Sequence, residues 1–177
     1  MKKRYYNQNI EIINEDILNF DLSKFSNFKI ISNLPYNISS KFIFKTLKLN
    51  QNLTEIVCMI QSELADKFDL KKGKMNKYKF FSTFCSNYKI KFNVSRNVFF
   101  PKPKVDSKVV SFLLTNKEKD LYKLDYFIKY FFINKRKKIK SNKYFLNINK
   151  CYHDLRYEDL NYSDLLKIYN GFKFSIR

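Results

Sequence analysis

Glycine and proline are scarce in this chain, which has two glycines and three prolines among 177 residues. The two glycines, Gly73 and Gly171, stand far apart. A P-loop and a GxGxxG dinucleotide-binding loop are therefore excluded within the chain, because each needs clustered glycines. Tryptophan is absent and Ala65 is the only alanine, whereas lysine, asparagine and isoleucine are abundant. AT-rich codons produce this pattern, so part of the lysine content reflects nucleotide composition.

Metal-binding and membrane-spanning patterns are also missing. Cys58, Cys85 and Cys151 are far apart, no CxxC pair occurs, and His153 is the only histidine. We therefore predict no metal site, and three reduced thiols in a cytoplasmic protein. Charges interrupt every apolar stretch well before the roughly 18 residues of a membrane span. No apolar signal core follows the basic N-terminus, so the sequence predicts no membrane association.

Acidic residues are few: Lys and Arg number 35 and Asp and Glu 16, which gives a formal net charge of +19. Such a surplus indicates a polyanionic partner, most plausibly a nucleic acid. The AT-rich composition weakens that inference, because it inflates lysine. The hydrophobic fraction of 45% argues against a disordered basic tail.

Strand-like and helix-like segments alternate in the first part of the chain. Strands are predicted over 10–13, 28–32, 55–60, 89–94 and 108–114, and a helix with Phe81, Phe84 and Tyr88 on one face. This alternation predicts an α/β fold with a mainly parallel sheet. Beyond Thr115 only helical periodicity remains, and Gly171 is a plausible cap for a last helix that starts near Ser163. We therefore predict an α/β domain over 1–115 and a small all-helical domain over 116–177.

One tetrapeptide, Asn33-Leu34-Pro35-Tyr36, follows the strand at 28–32. Open α/β sheets bind their ligands at the carboxyl ends of such strands. A turn that merely ends the strand would explain the tetrapeptide equally well, because Pro35 cannot donate to a ladder. Four further segments follow in order: Gln61–Ala65, the proline-braced Phe99–Ser107 with the sequence Phe-Phe-Pro-Lys-Pro-Lys-Val-Asp-Ser, Asn134–Ile139 and Arg156–Leu160.

Together and in this order, these segments resemble the rRNA adenine N6,N6-dimethyltransferase family of the small ribosomal subunit. The resemblance runs from about Ile10 to the C-terminus. It implies a Rossmann-like methyltransferase sheet, S-adenosylmethionine as the methyl donor, and no metal. It also implies that the substrate is a pair of adenines near the 3′ end of small-subunit rRNA, met in a 30S-type particle.

The resemblance assigns roles to residues around the tetrapeptide. The side-chain oxygen of Asn33 and the carbonyl of Pro35 would accept the hydrogens of the adenine N6 amine, and Asn33 would also face the methyl donor. Tyr36 and Phe99 would hold the flipped base between their rings. We expect the neighbouring Phe100 to belong to the core.

Asp16 and a basic run carry the remaining roles that the resemblance implies. Asp16 would accept a hydrogen bond from the adenine amine of the methyl donor, although an Asp after a strand is also a common helix cap. The basic run has no intervening acid and would contact rRNA phosphates, although such a run is often only a solvated face. Its members are Lys135, Arg136, Lys137, Lys138 and Lys140.

The family's Gly-rich segments are missing upstream of Ile10, so the sequence predicts a partial sheet that lacks its N-terminal strands. The strand at 28–32 would then have an unpaired edge. Three explanations stay open: another chain completes the fold, the methyltransferase activity is lost, or the sequence belongs to a longer protein. The rival to an enzyme is a catalytically silent RNA-binding factor for small-subunit assembly.

Overall fold

The described residues form four strands and five α-helices. A computed structural model describes residues 9–49, 52–115, 120–133, 137–145 and 148–172. The strands are β1 (Phe28–Asn33), β2 (Leu53–Gln61), β3 (Ser86–Val94) and β4 (Ser107–Leu114), and the helices are α1 (Ser39–Thr46), α2 (Ser62–Phe68), α3 (Lys77–Cys85), α4 (Leu121–Phe131) and α5 (Tyr162–Gly171). Short 3-10 turns lie at 96–98, 139–141, 150–152 and 157–159. The α/β class and the helical C-terminal part are confirmed.

The sheet has the strand order β1-β2-β4-β3. Strands β1 and β2 are parallel, whereas β4 is antiparallel to both of its neighbours. Because β4 opposes both β2 and β3, β3 runs in the same direction as β1 and β2, and three of the four described strands are parallel as predicted. The reversal of β4 was not predicted. The chain reverses here because a loop, rather than a crossover helix, joins β3 to β4, so β4 runs antiparallel to β3.

Two predictions of local secondary structure are wrong, because pairing with neighbouring elements determines the structure of these segments. Residues 10–13 form no strand, and Ile10, Ile12 and Ile13 are exposed. A strand needs a ladder partner for its backbone groups, and no described strand flanks this segment. Tyr88 belongs to β3 rather than to a helix, and its hydroxyl donates to the Ala65 carbonyl at 2.7 Å.

The helix ends follow ordinary capping chemistry. The Asn76 side chain accepts from the amides of Tyr78 and Lys79 at the start of α3, and Asn161 and Asp164 cap α5 reciprocally. The last helix begins at Tyr162, close to the predicted start at Ser163. Gly171 is its last residue rather than its cap, since the helical bond closes at the amide of Phe172.

Helices cover one face of the sheet and form the core there. Ile56 and Phe112 on this face are fully buried, as are Phe42 of α1 and Phe80 of α3. The core continues into the helical part, where the ring of Phe127 lies 5.1 Å from that of Phe80. Because the core crosses the predicted boundary at 115, the division into two domains stays a prediction.

The opposite face of the sheet is open among the described residues. Ile31 of β1 is 86% exposed, Phe92 of β3 is 59% exposed and Leu113 of β4 is 50% exposed. Paired residues on adjacent strands point to the same side. This open face therefore carries exposed apolar side chains on three of its four described strands.

Candidate active site

Asn33 ends β1 on the open face of the sheet. It pairs in register with Met59 of β2, which in turn pairs with Val109 of β4. The Asn33 side chain is exposed. An exposed amide beside two half-buried apolar side chains is thus available to a ligand at the carboxyl end of the parallel pair, where open sheets bind ligands.

Pro35 corrects one detail of the sequence prediction. Its carbonyl accepts the amides of Ile38 and Ser39 at 3.2 and 3.1 Å and the Ser39 hydroxyl at 2.9 Å. The carbonyl therefore belongs to the first turn of α1, and its two lone pairs already serve three donors. It is not free to accept an adenine amine, so the remaining backbone acceptor inside the tetrapeptide next to Asn33 is the Leu34 carbonyl.

Tyr36 joins the two sequence motifs. Its hydroxyl and that of Ser107 lie 2.9 Å apart, although 71 residues separate them in the chain. Ser107 is fully buried at the start of β4, and Tyr36 is half-buried. The hydrogen bond fixes one end of the tyrosine ring and leaves the rest of the ring partly exposed beside Asn33.

The proline-braced loop closes back on itself before β4. The Asp106 carboxylate accepts the Arg96 amide at 2.9 Å, and the Arg96 guanidinium donates to the Lys104 carbonyl at 2.9 Å. Phe99 is half-buried, whereas Phe100 is fully exposed. The expectation of Phe100 in the core is wrong, because this loop lies outside the ladder and away from the face that the helices cover.

Asp16 organises a single turn. Its carboxylate oxygen Oδ1 accepts the Leu18 amide at 2.9 Å, and its carbonyl accepts the amides of Asn19 and Phe20, both at 2.9 Å. The side chain therefore caps a turn and not the helix of the alternative prediction, since no helix is described over residues 9–27. It is also exposed, and its second carboxylate oxygen can accept another hydrogen bond, so the cap and the predicted contact to the donor are compatible.

The basic run lies in the helical part, and Lys135 and Arg136 fall outside the described residues. Lys137, Lys138 and Lys140 are exposed. Lys138 and Lys140 both reach one carboxylate oxygen of Asp154, at 3.1 and 2.8 Å. Their hydrogen bonds, first that of Lys140 and then that of Lys138, lower the pKa of Asp154 to about 2. The fold thus partly neutralises a run that contains no acid in the sequence.

A lysine–carboxylate cluster near the start of β4 was not predicted. The ammonium of Lys108, a nearly buried residue, lies 2.6 Å from Asp66 of α2, and Lys72 lies 2.8 Å from the same oxygen. Burial opposes ionisation here, but the hydrogen bonds from Lys108 and Lys72 outweigh it and lower the pKa of Asp66. Only the position of Lys108 directly after Val-Asp-Ser in the sequence hinted at a site.

Two searches of the described residues gave negative findings. No group of three or more His, Cys, Asp or Glu side chains in the described ranges could hold a metal ion. No helix in the described part of the chain is long and apolar enough to cross a membrane.

Two solved structures define the class of fold. A dimethyladenosine transferase from Plasmodium falciparum superimposes with a TM-score of 0.76 and 22% identity, over 94% of this chain and 74% of that one. The 23S rRNA methyltransferase ErmE superimposes with a TM-score of 0.69 and 17% identity, over 96% and 75% of the two chains. At these identities the likeness establishes a Rossmann-like methyltransferase fold.

The chain belongs to the ribosomal RNA adenine dimethylase family, whose sequence profile matches residues 1–170. It is 43% identical to the ribosomal RNA small subunit methyltransferase A of Malacoplasma penetrans, over 80% of this chain and 54% of that protein. It is 34% identical to the protein of the same name from Mycoplasma capricolum, over 96% of this chain and 73% of that protein. The chain thus spans about half of the first relative and about three quarters of the second.

Proposed function

We propose that this chain acts in the S-adenosylmethionine-dependent N6,N6-dimethylation of adenines near the 3′ end of small-subunit rRNA, as part of ribosome biogenesis. The observation that carries the proposal is the hydrogen bond between Tyr36 and Ser107, because it unites the two most specific motifs beside Asn33. Membership of the dimethylase family and the names of the relatives support the reaction.

The chemistry starts from a poor nucleophile. The lone pair of the adenine N6 amine is conjugated with the ring, so the nitrogen must leave conjugation to attack a methyl group. The Asn33 amide oxygen accepts one N6 hydrogen, and the Leu34 carbonyl is the candidate acceptor for the other. Both hydrogen bonds strengthen as the lone pair is released, which stabilises the transition state more than the bound substrate.

The base must leave its helix to reach these acceptors. Tyr36 offers a ring face whose position is fixed through its hydroxyl, and stacking of a base on such a ring contributes about 1–3 kcal/mol. Phe99 is the candidate for the opposite side of the base, and its half-buried ring lies in the loop that precedes Ser107. Alignment of the amine against the methyl group then supplies much of the rate.

S-adenosylmethionine supplies an electrophilic methyl group when it is bound. Asp16 is the candidate acceptor for the adenine amine of the donor, and its free carboxylate oxygen fits that role. Asn33 would contact both the donor and the acceptor base. The chain's own contribution is to hold two adenines, one through Asp16 and one through Asn33.

The exposed lysines of the basic run are proposed to contact rRNA phosphates in a 30S-type particle. Lys137 has no ion pair with a described residue, whereas Lys138 and Lys140 must exchange Asp154 for phosphate. Release of counterions makes such binding weaken steeply with salt. Lys135 and Arg136 belong to the same proposal by sequence, and a cytoplasmic location follows from a ribosomal substrate.

A complementing chain is a further part of the proposal. The outer edge of β1 has no described partner strand, and Ile31 beside it is 86% exposed. An unpaired edge next to exposed apolar side chains favours association with another polypeptide. If no partner restores methyl transfer, the rival function is a catalytically silent RNA-binding factor for small-subunit assembly.

The test compares Asn33→Ala with Asn37→Ala, an exposed asparagine four positions further on. After circular dichroism has shown that the variants fold, calorimetry measures S-adenosylmethionine binding, and methyl transfer is followed on undermethylated small-subunit particles. We expect Asn33→Ala to abolish transfer and leave RNA affinity nearly unchanged, while Asn37→Ala retains activity. A folded wild-type chain that binds RNA but neither binds nor uses the donor would contradict the enzyme and favour the silent factor.

A further inference from the structure

Lys45 of α1 contacts a segment far from it in sequence. Its ammonium donates to the carbonyls of Leu18 and Phe20, both at 2.7 Å, and lies 3.4 Å from the carbonyl of Ile17. The side chain is half-buried. Three carbonyls around one ammonium match the three N–H donors of lysine, so nearly all of its hydrogen-bonding capacity is used on this one segment.

The segment that Lys45 holds has little else to fix it. Residues 9–27 contain neither helix nor strand, and their burial is concentrated at Phe20 and Leu22. The turn from Asp16 to Phe20 directs its amides to Asp16 and its carbonyls to Lys45. The carboxylate and the main-chain carbonyl of Asp16 therefore accept the amides of the turn, while the Lys45 ammonium donates to its carbonyls.

The same helix carries both halves of the candidate site. Helix α1 begins at Ser39, with two residues between it and the Asn33–Tyr36 tetrapeptide, and the Pro35 carbonyl accepts amides of its first turn. Lys45 lies in the last turn of this helix. A rigid eight-residue helix thus links the turn that would bind the substrate base to the turn that would bind the donor's adenine.

We propose that Lys45 is a positioning residue that sets the Asp16 turn against α1 and so determines the affinity for the adenosine part of the methyl donor. This inference rests on the proposed function, because it takes the ligand of the Asp16 turn from there. Lys45 itself does not touch the donor. Its ammonium is engaged by three backbone carbonyls, and it acts through the geometry of the turn.

The experiment uses the complete 177-residue chain and two variants, Lys45→Met and Lys48→Met. Lys48 is a matched control, since it lies on the same stretch of chain and its ammonium pairs with Asp125 at 2.6 Å, away from the Asp16 turn. Calorimetry measures the Kd for S-adenosylmethionine, hydrogen exchange measures the protection of the Leu18, Asn19 and Phe20 amides, and thermal melting measures global stability.

We expect Lys45→Met to weaken S-adenosylmethionine binding about tenfold and to speed amide exchange in the turn, because charge-assisted hydrogen bonds are lost there. Lys48→Met should change the Kd less than about twofold, as for an exposed ion pair. If Lys45→Met melts before it can be assayed, Lys45→Gln, which keeps two N–H donors, should give an intermediate loss of affinity.

The three possible failures are distinguishable. Unchanged Kd and unchanged exchange in Lys45→Met would overturn the positioning role while leaving the proposed function intact. A folded wild-type chain that does not bind S-adenosylmethionine would overturn the proposed function and the cofactor part of this inference. Equal losses of affinity in Lys45→Met and Lys48→Met would show that loss of positive charge, rather than the turn, is responsible.

Discussion

The two faces of the sheet differ in what covers them. On one face, Ile56 and Phe112 are fully buried beneath α1, α2 and α3. On the other, Ile31 and Leu113 are 86% and 50% exposed. A sheet with a sealed core on one side can persist without cover on the other, because antiparallel and mixed sheets tolerate one solvated face. An apolar solvated face, however, is typical of an interaction surface.

The candidate site belongs to the open face. Asn33 and Ser107 both lie on that side of the sheet, Asn33 at the end of β1 and Ser107 at the beginning of β4. Tyr36 covers Ser107, so the open face is closed at the site itself. The covered face therefore supplies the stability of the domain, while the open face presents the groups that would meet ligands.

The largest difference in unfolding free energy is expected between substitutions of two adjacent residues of β4. Phe112 is fully buried against Phe68 and Tyr88, whereas Leu113 points to the open face. We expect Phe112→Ala to lower the free energy of unfolding by about 3–5 kcal/mol, because it removes buried area and leaves a cavity. Leu113→Ala should cost less than about 1 kcal/mol. Urea denaturation followed by circular dichroism measures both values.

Comparable losses in the two variants would contradict the difference between the faces. That outcome would mean that Leu113 is buried in solution, and hence that another polypeptide or a second copy of the chain covers the open face. Repeating the titration at several protein concentrations distinguishes these readings, because association makes the midpoint depend on concentration.

Local patterns were sufficient to predict much of the fold. The strand at 28–32 was predicted from a strand-like segment that ends before Pro35, and the structure has it as β1. The strand predicted at 108–114 is β4, which runs from Ser107 to Leu114. In each case, the residues that determine the element are close together in the chain.

Long-range pairing explains what the sequence could not predict. Whether residues 10–13 form a strand depends on a neighbouring strand with which they could pair. The antiparallel direction of β4 depends on how the chain returns after β3. Tyr36 could be placed at the site by its motif, but its bond to Ser107 spans 71 residues. The pairing of Asp154 with Lys138 and Lys140 and the contacts of Lys45 have no local signature either.

A second test compares the two faces at β1, where two adjacent isoleucines point to opposite sides of the sheet. Ile30 packs against the core, and Ile31, next to it, is the most exposed large aliphatic side chain described. We expect Ile30→Ala to cost about 1–2 kcal/mol, since Ile30 is only half-buried, and Ile31→Ala less than about 0.5 kcal/mol. Thermal melting of the two variants gives the values, and a larger loss in Ile31→Ala would reverse the assignment of the faces.

A third test addresses the point where Tyr36 covers the open face. In a double-mutant cycle, Tyr36→Phe and Ser107→Ala each remove one hydroxyl of the pair. We expect a coupling energy of about 0.5–1.5 kcal/mol in the free energy of unfolding, the usual net contribution of a neutral hydrogen bond. Strict additivity of the two single changes would mean that the hydroxyls do not interact in solution and that the tyrosine ring is not fixed there.

The smallest effect is expected away from both faces, at Asp154. Lys140 and Lys138 hold the pKa of this exposed carboxylate at about 2, below the unfolded value of about 3.9. A depressed pKa in the folded state contributes stability that is present above pH 4 and is lost as the pH falls through about 2. Asp154→Asn should therefore reduce the slope of unfolding free energy against pH between 4 and 2, and the small stability that it loses near neutrality should equal what the wild-type chain loses over that pH range. The double change Lys138→Gln and Lys140→Gln should reduce the same slope, because it removes the two donors that depress the pKa. A full wild-type slope in the lysine variant would mean that the lysines point into solvent, free to meet phosphate without first releasing Asp154.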